Sequence, residues 1–157
     1  DKEGFSGRDG RSTIFDYWSM DSVNHGYFDI RKKTPSERKL MEAYKRVMLI
    51  AEKEKAASRG LIFDLMYVNG HLAQSQYAFL RKKDDELLLV VVNFAAEAID
   101  TGIIIPSHAF EYMSIAEGDV DAVDLLSDGK AKLHLAVNEA VNVAVPAHGG
   151  VVYKIKQ

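Results

Sequence analysis

Carboxylates and imidazoles are the groups of this sequence with chemistry to offer, and their spacing decides which chemistry. Glu117, Asp119, Asp121 and Asp124 crowd one short run and could offer oxygens to Ca2+, which takes six to eight of them. The run lacks the residue order of an EF-hand and reads as a solvated loop leading into a strand. His25, His71, His108, His134 and His148 are scattered, never form His-x-His or His-Glu-x-x-His, and have no cysteine to join them. A zinc site is therefore not expected, and a disulfide framework, a thiolate site and a cysteine nucleophile are excluded. The chain carries no phosphate-binding loop, no Gly-x-Gly-x-x-Gly before a helix and no Gly-x-Ser-x-Gly elbow. Gly149-Gly150 is most simply a turn. Lys82-Lys83-Asp84-Asp85-Glu86 reads as the charged tip of a hairpin, a composition that discourages edge aggregation, rather than as a carboxylate pair. Residue chemistry alone supplies no active site.

The elements that would position these groups belong to a chain of 157 residues, 47% hydrophobic, 27% charged and 10% aromatic. That is the composition of a globular protein and the length of about one domain, which excludes disorder for most of it and excludes a large enzyme. A net charge of -3 is too near neutral to imply a nucleic acid or an acidic membrane partner. The longest apolar stretch, 87–92, is far short of the roughly 20 residues of a membrane span. The opening Asp1-Lys2-Glu3-Gly4-Phe5 has no signal-peptide core and no Met, and reads as text from within a longer protein.

Character changes near Gly60. Residues 1–60 carry 13 Lys/Arg and 10 Asp/Glu, whereas 61–157 carry 7 and 13. In the first part Thr34-Pro35-Ser36-Glu37 is a helix start with a capping box. Leu40, Met41, Tyr44, Val47, Met48 and Ala51 then recur at helical steps as one apolar stripe, which predicts a long helix with one buried face, fading through 55–59 and stopping at Gly60. After Gly60 the period becomes 2. Strands are expected at 61–68, at 76–82 paired with 86–94 across Lys83-Asp84-Asp85, at 98–105, 122–126, 131–138, 140–145 and 150–156. Seven or eight short antiparallel strands with alternating patterning predict a two-layer β-sandwich.

Gly4-Phe5-Ser6-Gly7-Arg8-Asp9-Gly10-Arg11-Ser12-Thr13-Ile14-Phe15-Asp16-Tyr17-Trp18-Ser19 closely resembles the segment just past the last barrel strand in bacterial members of the α-amylase family (glycoside hydrolase family 13). There a Gly-Phe-Ser and an Asp-Gly-Arg-(Ser/Thr)-(Thr/Ser)-Ile-Phe-Asp-Tyr-Trp stretch lead into the final barrel helix. The downstream order is similar too: a long helix, an apolar strand, then Ser75-Gln76-Tyr77-Ala78-Phe79-Leu80-Arg81, and an ending Val145-Pro146-Ala147-His148-Gly149-Gly150-Val151-Val152-Tyr153 that looks like the last turn and strand of the family's C-terminal β-domain. The resemblance implies mainly β architecture. Residues 1–59 would be the terminal loop and last helix of a (β/α)8 catalytic barrel, and 60–157 an antiparallel Greek-key β-sandwich.

The implied function is that of a non-catalytic C-terminal fragment of an enzyme acting on starch-like α-glucans, which stabilises the barrel and contacts glucan; the alternative is an independent carbohydrate-binding or protein-interaction module. Retaining glycoside hydrolysis needs two carboxyl groups about 5–5.5 Å apart. In the family these follow the fourth and fifth barrel strands, upstream of Asp1. Asn24-His25 is followed by Gly26 rather than Asp, and Gly7-Arg8-Asp9 lacks the residue separating Arg from the family's nucleophilic Asp, so no catalytic residue carries over. Asp9 and Arg11 would sit near the barrel rim and are, with Trp18, candidate substrate contacts, against loop ion pairing for the first two and packing against the β-domain for Tyr17 and Trp18. Tyr67, Tyr77, Phe79, Phe94, Phe110, Tyr112 and Tyr153 could include a surface glucan platform, though most are expected in the core. No metal or cofactor is implied for this chain, calcium being left to the parent. The implied partners are the upstream barrel, α-glucan, and a second copy through the exposed helix stripe. The compartment stays open, bacterial cytoplasm and periplasm both suiting the parent.

Overall fold

The computed structural model describes residues 23–24, 27–28 and 33–157, and the chain divides into two units, residues 1–45 and 46–157. Two short strands, β1 (Val23–Asn24) and β2 (Tyr27–Phe28), pair antiparallel with Val23 opposite Phe28; the polar text around them gave no sign of a strand.

Helix α1 (Pro35–Lys53) starts on the anticipated capping box. Glu37 accepts the Thr34 backbone N–H at 2.6 Å, and the Thr34 hydroxyl accepts the Glu37 N–H at 3.2 Å, so each satisfies a donor the helix leaves open. The expected single helix is broken once. Glu54 is extended (φ -87, ψ 118), and α2 (Lys55–Arg59) follows. α2 is clamped at both ends by side chains from the sheet: Glu86 accepts the Ala56 N–H at 2.7 Å, while Arg81 donates to the carbonyls of Ala56 at 3.0 Å and Ala57 at 2.8 Å. Lys154 adds ion pairs to Glu54 and Glu86. The helix ends at Gly60, where a Cβ would lie 2.4 Å from the Ala56 carbonyl oxygen and 2.8 Å from that of Lys82. No side chain fits there.

Eight strands follow. The first, β3 (Leu61–Asp64), is shorter than the expected 61–68, because Asp64 Oδ1 accepts the Met66 N–H at 2.7 Å and turns the chain off the ladder. Leu65 is then fully buried, and a 3-10 turn at Gly70–Leu72 follows. β4 (Gln76–Lys83) and β5 (Glu86–Asn93) form the expected hairpin over Asp84-Asp85, with Asp84 left-handed at φ 53. After β6 (Ile99–Ile104) the chain makes an unforeseen helix, α3 (Ser107–Met113), which buries Ala109, Phe110 and Met113. β7 (Gly118–Asp124), β8 (Lys130–Leu135), β9 (Ala140–Val145) and β10 (Gly149–Lys156) complete the fold.

Six strands make one antiparallel sheet in the order β3-β4-β5-β10-β7-β8, and β6 pairs with β9 in a second. The architecture is mainly β, as expected. The core lies between the sheets, where Leu80, Leu89 and Ile155 meet Ile103, Val141 and Val145, and α3 joins it through Phe110. Three buried polar side chains fasten the loops. Asn69 donates to the carbonyls of Leu65 (2.8 Å) and Ile104 (2.9 Å) and accepts the Ile104 N–H (2.8 Å). Asn93 donates to the carbonyls of Glu97 and Pro146. Asp124 accepts the N–H groups of Val152 and Leu126 and the Ser127 hydroxyl. Each meets the requirement that a buried polar group find partners.

Candidate functional site

Opposed residues in an antiparallel ladder lie on one face of the sheet. One row, Leu80 and Leu89, faces the core. The rows on the other face are Phe79–Val90–Val152, Tyr77–Val92–Gly150 and Arg81–Leu88–Lys154. The large sheet is therefore apolar on both faces over β4, β5 and β10. That agrees with the unbroken apolar run of β5, since a strand with one wet face alternates. α2 lies on β4 and β5, and Leu88 is fully covered. Phe79, Val90, Val92 and Val152 are only half-buried, and Tyr77 and Val123 are exposed.

The stripe on α1 is bare as well. Among the described residues the expectation of a buried face is not met: no residue of α1 is buried, Leu40 is 60% and Met48 69% exposed, and Tyr44 and Val47 are similar. Periodicity showed that the face is apolar, not what covers it. The second half of α1 is tied to its unit by Arg46, which donates to the Leu125 carbonyl at 2.5 Å and pairs with Asp128.

A third feature stands at β3, the edge strand of the large sheet. Phe63 has the rings of Tyr67, His108 and Tyr112 around it, with centroids 6.3, 5.2 and 6.3 Å away. The Tyr67 hydroxyl hydrogen-bonds with His108 Nε2. A shallow depression there is lined by Ile62, Phe63, His108, Glu111 and Tyr112. Of the seven aromatic residues expected to be mostly core, only Phe110 is buried; Phe79 and Tyr153 are half-buried, and Tyr67, Tyr77, Phe94 and Tyr112 are exposed. The bland reading failed here because two apolar sheet faces and one edge, not one core, had to be furnished.

The acidic run is strand rather than loop. Alternation along β7 sends Asp119 and Asp121 outward, to His134 Nδ1 at 2.7 Å and Lys132 Nζ at 3.2 Å, and turns Asp124 inward. Glu117 accepts the Val137 N–H. Among the described residues no group of three or more His, Asp and Glu stands close enough to hold a metal ion. The Asp119 carboxylate, through its hydrogen bond, pushes the His134 pKa above its ordinary value. His71 lies 3.1 Å from the Thr101 hydroxyl. Asp9, Arg11 and Trp18 lie outside the described residues, as do Tyr17 and His25.

Comparison with known proteins adds a family and a fold. Residues 67–156 match the family model of the α-amylase C-terminal all-β domain. No curated protein matches the chain. Among solved structures, the chain is similar to an AmyP in complex with maltose (16% identity, TM-score 0.59, 82% of this chain and 23% of that one). It is also similar to an Anoxybacillus α-amylase (11%, 0.57, 82% and 24%). A third is the α-amylase of Geobacillus thermoleovorans complexed with acarbose (12%, 0.58, 90% and 29%). At these identities the likeness is one of fold, and the chain spans about a quarter of the length of each structure.

Proposed function

This chain belongs to the family of the α-amylase C-terminal all-β domain, and we propose that it serves as the non-catalytic C-terminal region of an α-glucan-acting glycoside hydrolase. In this reading residues 1–59 are the last loop and helix of the catalytic barrel, and 60–157 form a sandwich that stabilises it. The observation that carries the reading is the second apolar face of the large sheet, where Phe79, Val90 and Val152 form a row that α2 begins to cover and that stays half-buried among the described residues. Contiguous apolar surface of this kind marks an interaction site, and the bare stripe of Leu40, Tyr44, Val47 and Met48 on α1 has the same meaning. When no barrel is present, the stripe serves self-association instead.

Cloning the gene upstream of Asp1 and producing that segment separately tests the proposal. The expected result is a (β/α)8 barrel that binds this chain and melts at a higher temperature in its presence, and that loses both effects when Val90→Lys is introduced. An upstream segment without a barrel, or a barrel indifferent to this chain, refutes the reading. In sedimentation the chain alone should self-associate, and Met48→Glu should reverse it. Glucan contact is the second part of the proposal, favoured by the aromatic cluster at the β3 edge rather than by the sheet face.

A further inference from the structure

We propose that Tyr67, His108, Glu111 and Tyr112 form a surface site for an α-linked glucan oligosaccharide; this rests on the reading of the chain as part of a glucan-acting enzyme and names the residues of its sugar contact. The cluster differs from the other two apolar surfaces in kind. On the sheet face one ring pair, Tyr77 and Phe79, lies beside the aliphatic Val90, Val92 and Val152, with the Tyr77 hydroxyl taken up by Asp64, which suits a protein partner. At the β3 edge the exposed groups are rings interleaved with hydrogen-bonding groups: two phenol hydroxyls, an imidazole and a carboxylate around a half-buried Phe63. A pyranose has the complementary construction, with a face of C–H groups that packs on an aromatic ring and a rim of hydroxyls that needs donors and acceptors. Tyr67 is 59% and Tyr112 58% exposed, so both rings are free to stack.

The rings are held before any ligand arrives. Tyr67 sits on the turn that ends β3, two residues before the buried Asn69, whose amide ties that turn to Ile104 at the end of β6. Three residues later α3 begins, and it anchors itself in the core by Ala109, Phe110 and Met113. His108 and Tyr112 are four apart on that helix and share a face, with Glu111 beside them. One buried amide thus fixes the spacing of the two elements that carry the rings, and the Tyr67–His108 hydrogen bond joins them a second time at the surface. Preorganisation of this sort lowers the entropy lost on binding.

The test is calorimetric titration of the whole chain with maltoheptaose, and with cellohexaose as the β-linked probe. Maltoheptaose should bind, cellohexaose at least about tenfold more weakly. Tyr67→Ala and Tyr112→Ala should each weaken maltoheptaose binding at least about fivefold, with the far-UV spectrum and melting temperature retained, whereas Phe94→Ala, an exposed ring away from the cluster, should leave it unchanged. No heat with maltoheptaose overturns the proposal, as does equal binding of the β-linked probe or binding that survives the Tyr67→Ala/Tyr112→Ala double variant. If the single variants unfold, protection of the Tyr67 and Tyr112 ring signals by maltoheptaose in the unaltered chain decides the matter, and its absence overturns the assignment. Failure here with barrel association intact removes the sugar site alone; loss of association on Val90→Lys bears only on the sheet face.

Discussion

Replacing Glu86 by alanine should destabilise the chain by about 2–3 kcal/mol, and the figure can be built from the clamp on α2. Glu86 Oε1 accepts the Ala56 N–H at 2.7 Å, one of the donors that the first turn of a helix leaves without an intrahelical partner. Ala56 is fully buried, so water cannot replace the lost acceptor. Losing a cap costs about 0.5–2 kcal/mol, and a buried donor left unpaired about 1–3; these describe one event from two sides, and we take about 2. The second oxygen of Glu86 lies 3.3 Å from Lys154 Nζ. Lys154 is 40% exposed and keeps Glu54, so this pair adds at most about 1 kcal/mol after screening. Urea unfolding of the full chain followed by far-UV circular dichroism reads the effect. At a denaturant slope of about 1.5 kcal/mol/M the midpoint should fall by roughly 1–2 M. Glu86→Gln keeps an acceptor for the Ala56 N–H and removes only the charge, so it should lose less than half as much. A midpoint that moves by under about 0.3 M on Glu86→Ala, or a glutamine variant as unstable as the alanine one, would show that the helix-capping argument is wrong.

Asn69→Ala removes three hydrogen bonds in a dry environment and strands the Ile104 N–H; a loss of about 2–4 kcal/mol, seen as a melting temperature lower by at least about 8 °C, is expected. Two exposed groups give opposite pH signatures. Glu37 is held below its ordinary pKa of 4.5 by its bonds from Thr34. Its contribution is therefore present above pH 4.5 and lost as pH falls through the lowered value. The start of α1 should fray in acid; Glu37→Gln should abolish that step in helical signal, whereas Thr34→Ala, which keeps the backbone N–H that bonds Glu37, should only diminish it. His134 titrates above 6.5 because of Asp119. Its pairing helps below 6.5 and fades as pH rises through the raised value, which an NMR titration of the imidazole in the parent chain and in Asp119→Asn should show.

Local signals were legible where the physics is local. The Thr34–Glu37 capping box, the hairpin over Asp84-Asp85, and β9 at Ala140–Val145 stand where residue pattern put them. What failed was decided at a distance. Lys53-Glu54-Lys55 has ordinary helix propensity, and the break there is imposed by Glu86, Arg81 and Lys154 from the sheet. α3 carries a helical spacing in Ala109, Phe110 and Met113, but seven residues are too few for the period to stand out. The premature end of β3 had a readable cause in Asp64, a residue that prefers to bond its own backbone two positions on. Of the aromatic cluster at the β3 edge only the candidate rings were legible; that Tyr67 and His108, separated by 41 positions, stand together was not, because they meet only once Asn69 has tied a turn to the end of β6.

The most informative stretch in the whole sequence was also the plainest, the six apolar residues from Leu87 to Val92. Their length excludes a membrane span; their lack of alternation says more. In an antiparallel sheet whose outer face is wet, every second residue turns polar, because a solvated position gains nothing from being Leu or Val. β5 does not alternate, and its neighbours in register do not correct it: Phe79 and Val152 flank Val90 on the outer face just as Leu80 and Tyr153 flank Leu89 on the inner one. The inner face is closed by β6, β9 and α3. The outer face has α2, five residues long, which shelters Leu88 and leaves Val90, Val92 and Val152 half-covered. An arrangement selected for a solitary domain would have placed Thr, Lys or Glu at those positions at no cost to the core, since they do not face it. The pattern is economical only if a second apolar surface completes the cover, which is why the sheet face, rather than any titratable group, carries the functional reading of this chain.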